Sequence, residues 1–125
     1  MKRILLIEDN LEIRENTIEL LELEGYTVIS AKDGKMGLAM AKENLPDLIL
    51  CDIMMPEATG YEVISELKKH SNTSTIPFIF ITASVEKKDV QIGLELGAIG
   101  YIRKPFDTQE LLSEVKRSLH NPYTP

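Results

Sequence analysis

The stretch Asp47-Leu48-Ile49-Leu50-Cys51-Asp52-Ile53-Met54-Met55-Pro56-Glu57-Ala58-Thr59-Gly60 decides how this chain folds. Residues 48–51 are a short apolar run after the Pro46-Asp47 turn, which suits a strand buried on both faces. Asp52 ends that run. A carboxylate at the carboxyl end of a buried strand is costly to desolvate, so it requires a partner or a task. Pro56 and Gly60 make the following segment a loop, and Thr59 with Glu62 reads as a capping box opening a helix. Open α/β sheets place their ligands in loops at the carboxyl ends of parallel strands. Asp52 is therefore the candidate chemical centre.

Working outward, residues 3–8 form a second buried strand that stops at two adjacent acids, Glu8 and Asp9. Asn10 caps the next helix, whose inward stripe is Leu11, Ile18 and Leu21. Gly25 ends it, and residues 27–31 are a β-branched strand. A helix starts at Asp33-Gly34 and runs to about Glu43, with Leu38, Ala39 and Ala41 packing closely. The third helix, residues 60–70, buries Val63, Ile64 and Leu67. A polar loop leads to a fourth strand over residues 77–82, with Thr82 at its carboxyl end. The fourth helix, residues 86–96, closes on Gly97 in a left-handed cap. Residues 100–103 are a fifth strand ending at Lys104-Pro105. A second capping box, Asp107 with Glu110, opens a helix that turns Leu111, Leu112, Val115 and Leu119 inward. Residues 121–125 have no periodicity and read as a tail or linker start, leaving residues 1–120 as the domain.

Five strands alternating with five helices predict an α/β, doubly wound, flavodoxin-like parallel sheet of order 2-1-3-4-5. That order makes strands one and three neighbours at the switch point. Glu8, Asp9 and Asp52 then converge, and Thr82 and Lys104 end strands on the same edge.

With 125 residues, 43% hydrophobic and 27% charged, the chain describes one ordinary soluble domain. No window has the apolar length of a membrane span, and no signal-peptide pattern precedes the first strand. Cys51 lies in the buried run as a small core residue. The expected compartment is the cytoplasm. A net charge of −6 argues against direct nucleic-acid binding. Lys68-Lys69-His70 and Lys87-Lys88 read as solvated faces, and His70 and His120 as favourable charges at helix carboxyl ends.

Three converging carboxylates repel: at an effective dielectric of about 20, two charges about 4 Å apart cost about 4 kcal/mol. Such a cluster needs a divalent cation or an abnormally held proton. All-oxygen ligands favour Mg²⁺. A lysine, a hydroxyl and Mg²⁺ around a free carboxylate are the components of phosphoryl transfer. In that reading Lys104 and the cation neutralise phosphoryl oxygens, Thr82 donates a hydrogen bond, and Asp52 is the nucleophile. Singly, Asp9 or Thr82 would be an ordinary loop residue; their joint placement at strand ends argues for a site.

Glu8-Asp9, Asp52, Met55-Pro56, Gly60, Thr82-Ala83 and Tyr101-Ile102-Arg103-Lys104-Pro105-Phe106, in this order and spacing, resemble the receiver domain of two-component response regulators. The resemblance covers residues 2–119. It implies that Asp52 accepts a phosphoryl group from a phosphohistidine as an acyl phosphate. It implies Mg²⁺, with Mn²⁺ as a substitute, held by Asp9, Asp52 and the backbone carbonyl of Met54, with Glu8 acting through water. Lys104 and Thr82 would contact the phosphate. Tyr101 would be an aromatic switch, turning from solvent into space beside the fourth strand when Thr82 moves. The Lys104–Pro105 peptide would be cis. The implied donor is a sensor histidine kinase or phosphotransfer protein. The signal would pass from the helix four–strand five–helix five face to an output domain, a downstream protein or a second copy. Such a domain catalyses its own phosphorylation and dephosphorylation but acts mainly as a switch.

Thr59 departs from the family's usual Asp or Ser yet can still cap. Gly37 replaces a customary Ala and should weaken its helix by up to about 1 kcal/mol. Met54 and Ser84 occupy variable positions that tune phosphate lifetime. An aspartyl phosphatase would need a second acid where Met54 stands, and Met54 cannot transfer a proton. A flavin or nucleotide binder would need a phosphate-receiving first turn, whereas Glu8-Asp9-Asn10-Leu11-Glu12 repels phosphate. A phosphate-independent interaction module on the same fold is the remaining alternative, and it usually lacks one of the site residues, all of which are present.

Overall fold

The computed structural model describes residues 1–83 and 86–120. In chain order the elements are β1 (Arg3–Ile7), α1 (Leu11–Leu23), β2 (Thr27–Ala31), α2 (Gly34–Asn44), β3 (Leu48–Asp52), α3 (Gly60–Lys68), β4 (Phe78–Thr82), α4 (Lys87–Glu95), β5 (Gly100–Arg103) and α5 (Thr108–Leu119). The sheet is parallel throughout, in the order β2-β1-β3-β4-β5. Ser84 and residues 121–125, which carry the lifetime and tail readings, lie outside the described residues.

Alternation along the three central strands explains the layers, since successive side chains point to opposite faces. Leu5, Ile7, Ile49, Cys51, Phe78 and Phe80 meet Val63, Ile64 and Leu67 of α3 in one core. Ile4, Leu6, Leu48, Leu50, Ile79 and Ile81 meet Leu21 of α1 and Leu111 and Val115 of α5 in the other. Helices cover both faces because both are apolar. The helix α4 is the exception, since Gly93 is its one buried residue and no side chain caps its start.

Element ends fall within two residues of expectation, the ordinary scatter of helix and strand termini. The local readings at Leu11, Ala39 and Lys68 are corrected. Leu11 is 59% exposed, because it opens α1 at the solvated edge beside Asp9 and Asn10. Thr17 is buried instead, its hydroxyl donating to the Ile13 carbonyl at 2.6 Å. Ala39 is exposed, and α2 packs through Gly34, Gly37 and Ala41, the positions that recur on one helical face. Lys68 is not simply solvated: its ammonium donates to the Ser74 carbonyl at 2.7 Å, and its chain lies over Gly97, whose φ is 111°. Both predicted caps form at Thr59 and Asp107, although only Thr59 has the reciprocal bond from the third residue.

Gly37 is there for packing. A Cβ at this position would meet Ile7 at three side-chain atoms, Cγ1 at 2.8 Å among them, and Ile7 is fully buried. Gly37→Ala gains up to about 1 kcal/mol of helix propensity. Overpacking costs about 1–3 kcal/mol, so the overlap wins. The expected result is a net loss of stability in urea unfolding, where propensity alone would give a gain.

Candidate functional site

The carboxyl ends of β1, β3, β4 and β5 supply the site. Pairing of Ile7 with Cys51 aligns Glu8 beside Asp52, and pairing of Asp52 with Ile81 puts Thr82 one residue further along β4. Gly60 allows the β3–α3 loop to fold back tightly: its amide donates to the Ile53 carbonyl at 2.8 Å, and a Cβ would lie 2.5 Å from the Asp52 carbonyl. The Lys104 amide donates to the Thr82 carbonyl at 2.9 Å, fixing the turn after β5. The Lys104–Pro105 peptide is cis, as the resemblance implies.

Lys104 is the hub. Its ammonium lies 2.7 Å from Asp52 Oδ2 and 2.6 Å from Glu8 Oε1. The Glu8 contact is an ion pair whose alignment is poor for a hydrogen bond, so Oε1 is buried with charge contact alone. Glu8 Oε2 accepts from the Asn10 amide at 3.1 Å, and Asp52 Oδ1 accepts from the Met54 amide at 3.3 Å. Arg14 donates to the Glu8 carbonyl at 2.7 Å. Sequence reasoning named Glu8, Asp52 and Lys104, and Asn10 as the cap of α1, where its side chain accepts from the Ile13 amide, but missed the Asn10 amide and Arg14 as supports of Glu8. The available signal was spacing: Asn10 two residues after an acid, and Arg14 one turn into the helix.

Burial pushes the Glu8 carboxyl up to about 7, outweighing the opposing Lys104 and Asn10 contacts. Burial works to lower the Lys104 pKa, but its contacts with the Asp52 and Glu8 carboxylates outweigh that and raise it. The pair therefore resists separation in either direction.

Glu8, Asp9 and Asp52 each offer an oxygen within 4.8 Å of the other two. Asp9 is exposed while the other two are buried, so the cluster opens to solvent on one side. Three carboxylates against one ammonium give −3 + 1 = −2 formally, or less negative where Glu8 holds a proton. This donor set fits a hard divalent cation that keeps part of its water. Met54 is exposed beside the cluster. Thr82 is buried at the end of β4.

The Tyr101 ring is half-buried: it packs on Phe80 with centroids 5.4 Å apart, and its hydroxyl donates to the Asp89 carbonyl at 2.7 Å. His70 pairs with Glu66 at 3.5 Å, and His120 is the exposed carboxyl cap of α5.

Comparison with known proteins agrees with this geometry. The family model for the response regulator receiver domain matches residues 4–116. The phosphate regulon transcriptional regulatory protein PhoB of Escherichia coli is 41% identical over 92% of this chain and 50% of its own length. The DNA-binding dual master transcriptional regulator RpaA of Synechocystis is 39% identical over 95% of this chain and 49% of its own. The chain thus spans about half the length of these curated relatives. Among solved structures, the Vibrio cholerae chemotaxis protein CheY4 superposes with a TM-score of 0.91 at 31% identity, covering 94% of this chain and 98% of that one. With strand order, acidic cluster and family match in agreement, the chain belongs to the response regulator receiver domain family.

Proposed function

We propose that Asp52 is the phosphoacceptor of a two-component signalling switch. The observation that carries this is the Asp52 carboxylate, 7% exposed at the end of β3, with Lys104 on one oxygen and the Met54 amide on the other. In the reaction an Asp52 oxygen attacks phosphorus, the nitrogen–phosphorus bond of a phosphohistidine breaks, and an acyl phosphate forms. Lys104 then exchanges its contact with the carboxylate oxygen for one with a phosphoryl oxygen, and Thr82 supplies a hydroxyl donor. Asp9, Asp52 and the Met54 carbonyl would hold Mg²⁺, with Glu8 contributing through water. Mg²⁺ when bound supplies charge neutralisation for the transferring group. The intact set of residues counts against a phosphate-independent interaction module.

The donor would be a histidine kinase or phosphotransfer protein, and the receiver of the signal an output domain, a downstream protein or a second copy. The relatives named as transcriptional regulators support an output of DNA binding in a segment beyond this domain, residues 1–120. Among the described residues no helix is long and apolar enough to cross a membrane, and a cytoplasmic site of action is part of the same proposal.

The reading is tested by incubating the chain with acetyl phosphate and recording intact mass. One added phosphoryl group in Mg²⁺ or Mn²⁺, and none in chelator, is expected. Labelling that ignores the metal would contradict it. A second expectation concerns stability. Mg²⁺ at about 100 times its dissociation constant should add about 2.7 kcal/mol. Asp9→Asn should remove most of that gain, read as the shift in melting temperature on adding Mg²⁺. An unchanged shift would place the cation elsewhere.

A further inference from the structure

The helix α4 is held to the domain in an unusual way. It buries no large apolar side chain, and Gly93 is its one buried residue. Two tyrosines from different elements reach its backbone instead. Tyr61 of α3 donates to the Asp89 carbonyl at 3.0 Å, and Tyr101 of β5 donates to the same oxygen at 2.7 Å. The Tyr101 hydroxyl therefore sits against the α4 backbone near residues 89 and 93. A Cβ at position 93 would collide with the Tyr101 hydroxyl and lie 2.9 Å from the Phe80 ring. Tyr61 also packs edge-on against Phe80, with centroids 5.5 Å apart. One buried ring thus seats both tyrosines.

We infer that Tyr61 and Gly93 are positioning residues for Tyr101, setting how firmly its ring is held inward and α4 in register. The inference rests on the reading of Tyr101 as the switch. In that reading α3, through Tyr61, shares control of the output face with Thr82. Along α4 itself Gly93 is the one buried residue, and the apolar contact comes from Leu96 at its carboxyl cap, so a few polar contacts can set the place of its earlier turns. Gly93 is required because the hydroxyl occupies the space where any side chain would begin. Tyr61 is required because it is the second donor to the oxygen that Tyr101 uses. Burial raises the Tyr101 pKa far above its ordinary value, and the nearby Tyr61 adds to this, consistent with a neutral hydroxyl kept as a donor.

The test is the position of the Tyr101 ring, read from cross-relaxation between its ring protons and the α-protons of residue 93 and the ring of Phe80. It is recorded in the unphosphorylated chain with and without beryllofluoride and Mg²⁺. In the wild type the inward-to-outward ratio should rise on adding beryllofluoride and Mg²⁺. Tyr61→Phe keeps the aromatic packing and removes one donor. It should cut the inward-to-outward ratio about two- to tenfold, the range of one neutral hydrogen bond, and beryllofluoride should restore it. Gly93→Ala should keep the ring outward in both states, because Tyr101 can swing away from the new Cβ while the helix propensity gained offsets part of the contact with Phe80. A ring that stays seated in either variant overturns the inference. A ring that leaves in Tyr61→Phe and is not returned by beryllofluoride supports the positioning role and removes the switch reading of Tyr101.

Discussion

Lys104→Met is expected to destabilise the metal-free domain by about 3–5 kcal/mol at pH 8, out of a total of about 5–15 kcal/mol for a domain of this kind. Methionine keeps much of the side-chain volume and removes the ammonium. Glu8 is then a carboxylate 1% exposed facing Asp52 at 7%, with nothing between them to neutralise either. The pH dependence follows from Glu8. Its folded pKa is about 7, against 4.5 ordinarily, so the folded chain holds a proton that the unfolded chain has released. The stability from that proton is fully present below about 4.5 and is lost as pH rises through about 7. Lys104 has a raised pKa, so its contribution persists through neutrality and is lost only above its ordinary range of 10.5. Without Lys104, therefore, the penalty should be smallest near pH 5, where Glu8 is neutral, and grow toward pH 8. Urea unfolding of both proteins in chelator at the two pH values checks this. An equal penalty at both would mean that Glu8 is not the group left stranded.

Phe80→Ala is expected to cost about 3–5 kcal/mol, lowering the melting temperature by roughly 10–20 °C. Phe80 is fully buried and makes ring contacts with Phe78, Tyr61 and Tyr101, at 5.0, 5.5 and 5.4 Å. Each such pair is worth about 0.5–1.5 kcal/mol beyond area alone. Phe78→Ala is the control, being as deeply buried but, among the described residues, in ring contact only with Phe80. Both variants should melt early, and only Phe80→Ala should also move the Tyr101 ring signals. If Phe78→Ala moves them equally, the core responds as a whole and Phe80 has no special part in seating the tyrosine.

The sheet was legible because residues 4–7, 48–51 and 78–81 are apolar without alternation, a pattern that fits strands covered on both faces. The candidate site was legible for the same reason: acids and a lysine interrupt those runs at one end, and parallel topology collects the ends. What escaped depends on contacts between elements. The contacts around the Tyr101 hydroxyl come from Gly93 in α4 and Tyr61 in α3, on other elements. The helical period puts Leu11 on the face of Ile18, yet its turn of α1 sits at a solvated edge. Gly37 read as a weak helix residue until Ile7 was found filling the space of its missing side chain. Periodicity reports which face turns inward, and it does not report what waits there.

The most direct measurement of the central claim is to trap the acyl phosphate. After reaction with acetyl phosphate and Mg²⁺, borohydride reduction converts a phosphorylated aspartate to homoserine, which peptide mass spectrometry locates. The account predicts homoserine at position 52 alone in the wild type and no phosphoryl uptake in Asp52→Asn. Homoserine at position 9, or full uptake by Asp52→Asn at the wild-type rate, would contradict it.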